Sequence, residues 1–195
     1  AEDNGIDALA TYKQYFPEIV ITDIKMPQMD GLELVEKIRQ ISKDTKIIMN
    51  IAIDGPDGAG KSTIAKLIAE KLNITFLNSG SFYRGITLGL LRDKIDLTDE
   101  NKILAYAENL DLDYVDNHLI LNGEDVNHLL HQDIISEHAS PISAIVELRH
   151  IVNKKLRKIT EKQSVVCEGR DITTVVFPNA EHKFYLDASS DVRAK

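Results

Sequence analysis

The chain has 195 residues, 43% of them hydrophobic, enough for one good core or two small ones. A formal net charge of -8, a pI near 5.2 and the lack of a dense Lys/Arg run argue against a nucleic-acid polymer as partner and leave mononucleotides open. Cys167, the single cysteine, excludes an internal disulfide, and no apolar stretch or leader points to a membrane, so the expected location is the cytoplasm.

In chain order, Gly5 to Phe16 has apolar residues at helical spacing and stops at Pro17. Glu18 to Thr22 is a short β-branched run that reads as a buried strand. Its end delivers Asp23, followed by a turn marked by Pro27 and Gly31, an amphipathic helix from Leu32 to Ile41 and a further strand from Thr45 to Met49. An aspartate at the carboxyl end of a parallel strand is either a turn-initiating cap or a group placed where open α/β sheets keep their chemistry.

Asp23 with Met26, Pro27, Met29, Asp30 and Gly31 resembles the DxxMPxMDG segment of response-regulator receiver domains, over about residues 1–49. The resemblance implies that Asp23 is a phosphoacceptor and that this piece is a signalling or docking module. The receiver family's acidic pair, its hydroxyl residue after the fourth strand and its lysine after the fifth have no counterpart here. A carboxylate without a cation beside it is a poor nucleophile toward phosphate. Asp23 is therefore expected to be phosphorylated poorly; a stoichiometric, Asp23-dependent mass gain of one phosphate from a small phosphodonor with Mg²⁺, lost in Asp23→Asn, would contradict this.

Asn50 to Thr63, NIAIDGPDGAGKST, runs from an apolar strand through a glycine-rich turn into a helix and fits GxxxxGK[ST]. Gly55, Pro56, Asp57, Gly58, Ala59, Gly60, Lys61, Ser62 and Thr63 form the expected phosphate loop. Its glycines let the backbone N–H groups converge on one spot, and the following helix adds its positive end. Lys61 is expected along the β and γ phosphates of a nucleotide and Ser62 on Mg²⁺.

Beyond the loop, Ile64, Leu67, Ile68 and Leu72 mark one apolar helix face, and Ile74 to Leu77 reads as a second strand. The next helix, to about Arg92, opens with Asn78-Ser79-Gly80, and Arg84 one turn in either grips a second anion or is a solvated surface arginine. Leu97 to Leu110 reads as helix; Leu112 to Val115, His118 to Leu121 and Asp125-Val126 read as an antiparallel meander turning at Asp116-Asn117 and Asn122-Gly123. Helical pattern resumes at about Asn127, is broken at Pro141 and continues to Ile159. His128 and His131 have a spacing that suits a metal, but no further ligand completes a set and exposed helix positions are expected. Val165 to Cys167 returns to a sheet and runs into Glu168-Gly169-Arg170-Asp171; Lys183 to Leu186 is a last strand before an N-cap cluster at Asp187 to Ser190.

AIDGPDGAGKST, LNSGSFYR, SPISAIVELR, CEGRDITTVVFP and FYLDASSDVRAK, in this order, resemble bacterial cytidylate kinase over about residues 50–195. The resemblance implies transfer of the γ-phosphoryl of ATP to CMP or dCMP with Mg²⁺, so that nucleotides are the partners and no protein partner is assigned. By position it places Ser79, Arg84 and Arg170 around the acceptor phosphate and Ser140, Arg149 and Asp171 around the cytosine ring. Lys61, Arg84 and Arg170 then neutralise charge during transfer. A carboxylate opposite an arginine favours cytosine's amino donor and ring acceptors over uracil's pattern. Asn78 departs from the family, where an aspartate is usual. Family members also continue beyond Arg193 to Lys195 into an arginine-bearing lid, so the resemblance implies weakened catalysis here.

Together the two resemblances imply an α/β fold: a three-layer, parallel-sheet core like that of P-loop nucleoside monophosphate kinases. A small antiparallel lobe is inserted at about 96–157, and a partial flavodoxin-like receiver β-α fragment precedes the core. Lys46 to Asp54 is either one long strand of about 30 Å, or a receiver piece followed by the kinase's own first residue at Met49, or the point where the receiver unit pairs beside the phosphate-loop strand.

Overall fold

A computed structural model describes residues 2–22, 26–42, 45–48, 50–161, 163–180 and 182–189 of the chain. Asp23 and the helix expected after Ser189 lie outside the described residues. The chain divides into two compact units, one formed by 1–76 with 162–195 and one by 77–161.

In the first unit, α1 (Gly5–Tyr15) is capped by Asn4, whose side chain accepts from the Asp7 N–H, and ends at Phe16 in the left-handed region before Pro17. Strand β1 (Ile19–Ile21) leads to α2 (Gly31–Ile41), capped by Asp30, and then to β2 (Lys46–Ile48), which pairs parallel with β1. Strand β3 (Asn50–Asp54) belongs to a different sheet. It lies parallel to and between β8 (Val165–Gly169) and β9 (His182–Tyr185), while β4 (Thr75–Asn78) forms the edge beyond β8. The run from Lys46 to Asp54 is thus two strands in two sheets, β2 and β3, and the receiver unit does not pair beside the phosphate-loop strand. Both edges of β3 are taken, so β1 finds its partner in β2.

The two sheets still share one apolar core. Leu34, Val35 and Ile38 of α2, with Leu9 and Tyr12 of α1, cluster with Ile51, Ile53 and Val166 of the larger sheet and with Ala65, Ala69 and Leu72 of α3 (Lys61–Leu72). Close approach extends to the turn before α2, where a Cβ on Gly5 would stand 2.2 Å from the Met29 carbonyl oxygen. The buried face of α3 matches the expected one at Leu72 and partly at Ile68 and differs elsewhere: Ile64 and Leu67 are exposed, and the small residues Ala65 and Ala69 face the core. A helix lying directly on β3 and β8 has room for methyl groups there, and the longer side chains turn outward.

The second unit is built around α4 (Ser79–Arg92), which buries Phe82, Ile86, Leu88 and Leu90. Around it lie α5 (Glu100–Asn109), the meander of β5 (Leu112–Val115), β6 (His118–Leu121) and β7 (Glu124–Asp125), a 3₁₀ turn at Asn127–Leu129, α6 (Asp133–Ser143) and α7 (Val146–Thr160). Both meander turns take positive φ at their two central residues, Asp116 and Asn117 (50° and 65°) and Asn122 and Gly123 (50° and 83°), the geometry that matches strand twist. Helix α5 starts later than expected, because Asp96 takes the Thr98 N–H and hydroxyl in a local turn and Asp99 caps Lys102. Pro141 does not break its helix. It sits in the last turn of α6, where it forgoes one intrahelical N–H bond and the buried Ala139 and Ile142 hold the segment in place.

Glycines on α4 admit its neighbours. A Cβ on Gly85 would stand 2.3 Å from Cδ2 of Leu119, a fully buried side chain of β6. Alanine gains about 1 kcal/mol over glycine in a helix interior, whereas overpacking a core costs about 1–3 kcal/mol, so the second effect dominates. Gly85→Ala is expected to lower the urea midpoint; an unchanged or higher midpoint would show that Leu119 moves aside freely.

Candidate active site

The carboxyl ends of β3, β8 and β9 lie side by side, with Asp54 in register with Gly169 and Tyr185. This is where open parallel sheets bind ligands. The chain leaves β3 through Gly55, at φ +153°, and a Cβ there would lie 2.1 Å from the carbonyl oxygen of Leu186. The Leu186 N–H in turn donates to the Asp54 carbonyl at 2.7 Å, so the end of β9 is fastened to the start of the loop.

Gly58 and Gly60 take φ of +78° and +84° and turn the backbone into the first turn of α3. A Cβ on Gly60 would meet nothing within 4 Å, and no side chain caps the helix N-terminus. Open space in front of uncapped N–H groups suits an anion. The Lys61 side chain is 7% exposed and curls back over the loop, its Nζ donating to the Pro56 carbonyl at 2.8 Å and lying 3.8 Å from Asp57 Oδ1.

Ser62 donates its hydroxyl to Glu168 Oε1 at 2.9 Å. Glu168 is the buried end of β8; burial pushes its carboxyl above the usual range, while the Ser62 hydroxyl and the Lys61 ammonium draw it back down. A hydroxyl and a carboxylate at one helix start are the oxygen donors a hard divalent cation takes, so these residues fit Mg²⁺. Arg170, two residues further on, donates Nη2 to Asp57 Oδ2, and this contact holds the Asp57 carboxyl below the usual range.

Asp54 is 3% exposed, and its carboxylate accepts from the Ile172 N–H at 2.6 Å, from the Thr173 N–H at 3.0 Å and from the Thr173 hydroxyl. It thereby fixes a turn of π-helix at Ile172–Val176 that directly follows Arg170 and Asp171. Asp171 is half-buried, and its carbonyl accepts from Val175 and Val176.

Among the expected residues of the first unit, the loop from Gly55 to Thr63 and Arg170 come together. In the second unit, Ser79 follows the N-cap Asn78, whose Oδ1 accepts from the Ser81 N–H at 3.2 Å. Asparagine thus serves as the N-cap of α4. Arg84 donates to the Leu130 carbonyl at 3.0 Å and to the Ser136 hydroxyl at 2.7 Å. Ser143 links two further expected residues: its hydroxyl donates to the Ser140 carbonyl at 2.8 Å, and its carbonyl accepts from Arg149 at 3.3 Å. Ser136, Ser140 and Ser143 repeat at helical spacing on one face of α6, so Arg84, Ser140 and Arg149 share that stripe. Asp171 belongs to the first unit and Arg149 to the second.

Glu168, Asp54 and Ser136 are absent from the expected set. Two of them had a signal: Glu168 is the first charge after the apolar run of β8, and Asp54 is an acid closing an otherwise apolar β3 just before the loop glycine.

A glycine loop between the central strand of a parallel sheet and a helix that opens with Lys61-Ser62 defines a P-loop phosphate-binding protein. The family model for Cytidylate kinase matches residues 51–195, and the chain belongs to that family. It is 47% identical over 149 residues to a cytidylate kinase of Caldanaerobacter subterraneus subsp. tengcongensis, covering 76% of this chain and 66% of that protein. Against cytidylate kinases of Clostridium botulinum strain Loch Maree and Clostridioides difficile strain 630 the identities are 42% over 147 residues and 43% over 143, covering 75% and 73% of this chain and 68% and 66% of those proteins. The chain thus spans about two thirds of the length of the curated relatives it matches. A second family model, Response regulator receiver domain, matches residues 1–63 and overlaps the first over 51–63. The overlap is β3 and its loop, and β3 pairs with β8 and β9. Among the described residues no helix is long and apolar enough to cross a membrane.

Proposed function

We propose that this chain catalyses phosphoryl transfer from ATP to CMP or dCMP, giving ADP and CDP or dCDP. The observation that carries the reading is the loop with Lys61 curled over it and open space at Gly60, in a chain that belongs to the cytidylate kinase family.

The acceptor is a phosphate oxygen and already an anion, so no general base is required. The bond from the γ-phosphorus to the bridging oxygen of ATP breaks, and one to the CMP phosphate oxygen forms. What the protein must supply is alignment and positive charge. Lys61 and the α3 N-terminus hold the donor phosphates, and Arg170 adds a planar fork of donors at the mouth of the loop. Ser62 and Glu168 would hold Mg²⁺, which supplies charge neutralisation at the transferred group when bound. Of the second unit's residues, Ser79 and Arg84 are proposed for the acceptor phosphate and Ser140 and Arg149 for the cytosine ring; of the first unit's, Arg170 is proposed for phosphate and Asp171 for cytosine's exocyclic amino group.

The test is ADP release by the purified chain with CMP, dCMP, UMP and AMP as acceptors. Turnover that favours CMP and dCMP is expected. No ADP release with any acceptor, together with no heat of ATP binding by calorimetry, would overturn the reading.

The receiver match supports a second reading, a signalling or docking module with Asp23 as phosphoacceptor. It stands on the Asp23 to Gly31 segment, and the phosphodonor experiment tests it.

A further inference from the structure

The loop contains an acid that its backbone path does not require. Asp57 lies between Pro56 and Gly58, its side chain is 71% exposed, and none of the turning in the loop depends on its side chain. Its two oxygens are nonetheless shared between two cations: Oδ1 lies 3.8 Å from Lys61 Nζ, and Oδ2 accepts from Arg170 Nη2. Lys61 comes from the start of α3 and Arg170 from the residue after β8, so this one carboxylate joins two elements across the phosphate cradle.

We propose that Asp57 is a built-in counter-anion of the phosphate loop: its carboxylate occupies Lys61 and Arg170 in the nucleotide-free protein, competes with an incoming polyphosphate for both, and so lowers the affinity for it. The inference rests on the reading of the loop as a polyphosphate site and adds what limits binding there. An arginine or lysine paired with a carboxylate cannot give its full charge to a phosphate, and a carboxylate left beside a bound phosphate repels it. Exposed ion pairs are weak and screened by salt, so the carboxylate gives way to a tetraanion but still reduces the net gain of binding.

The proposal predicts that Asp57→Asn binds ATP and inorganic pyrophosphate about threefold to tenfold more tightly than the unsubstituted chain at low salt, the size expected from relieving two exposed pairs. The advantage shrinks as salt is raised. Asp57→Ala shows the same gain, Asp57→Glu restores the weaker binding, and the melting temperature confirms that each variant is folded. A residue that only shaped the loop would give weaker binding in the asparagine and alanine variants with no dependence on salt. Binding of ATP by the unsubstituted chain, with equal or weaker binding in both variants, overturns this inference alone. Failure of the unsubstituted chain to bind either ATP or pyrophosphate overturns the polyphosphate reading and this inference with it.

Discussion

Lys61→Ala is expected to reduce CMP-dependent ADP release by about a hundredfold to a thousandfold, the range for removing one pre-positioned donor from developing charge. The Lys61 side chain is 7% exposed and its ammonium is held over the loop by the Pro56 carbonyl at 2.8 Å, so it is oriented before any nucleotide arrives. Its contact with Pro56 is a single hydrogen bond, worth about 0.5–1.5 kcal/mol net. The variant should therefore stay folded, and the loss should fall on turnover and ATP affinity. Lys61→Arg should not restore activity, because a planar fork cannot take the place of a compact point charge at the end of a flexible stem. Single-turnover rates and ATP titrations on both variants provide the check. Unchanged turnover in Lys61→Ala would place the chemistry elsewhere.

Gly55→Ala should be more damaging to the fold than any other exchange in the loop. The new Cβ would stand 2.1 Å from the Leu186 carbonyl oxygen and 3.1 Å from its carbon, at a φ of +153° that L side chains rarely adopt. The obstacle is backbone, so it can be relieved only by moving the end of β9 away from β3, with loss of the 2.7 Å bond from Leu186 to Asp54. A cost of about 3 kcal/mol, the upper end for backbone strain, is expected as a lowered denaturation midpoint together with lost ATP binding. Gly60→Ala separates the two effects. Its Cβ would meet nothing within 4 Å, so the cost is left-handed backbone strain at φ +84° alone, about 1–2 kcal/mol, while the methyl would stand in the space proposed for phosphate. That variant should keep most of its stability and still lose ATP affinity. Equal midpoints for Gly55→Ala and the unsubstituted chain would refute the argument.

Features encoded over a few consecutive residues were legible in the sequence. The loop from Gly55 to Ser62 announces itself because the glycines, the lysine and the hydroxyl must be neighbours in the chain. The meander did so because Asp116-Asn117 and Asn122-Gly123 are turn formers between short alternating runs. Glu168 carries a local signal as the first charge after an apolar run, but its role does not follow from that, since its bond to Ser62 joins positions 106 apart. The same holds for Asp54, an acid closing an apolar strand, whose partners Ile172 and Thr173 lie 118 and 119 residues away. The inward face of α3 is legible at Leu72 and Ile68 but not at Ala65 and Ala69, because side-chain size is a poor guide to burial where a helix lies close on a sheet. Ala65 and Ala69 sit inside for want of room, and Ile64 and Leu67 are displaced outward. The path from Lys46 to Asp54 looked continuous because apolar content does not reveal which edge of a strand is already occupied.

The apolar cluster that gathers Leu34, Val35 and Ile38 together with Ala65, Ala69 and Leu72 has a consequence for how this polypeptide is to be divided. The N-terminal helices are a buttress behind the helix whose first turn faces the phosphates, and cutting them away would strip the wall from that helix. Two family matches can be traced along the string of letters, and their sheets stay separate, yet their apolar side chains meet in one cluster.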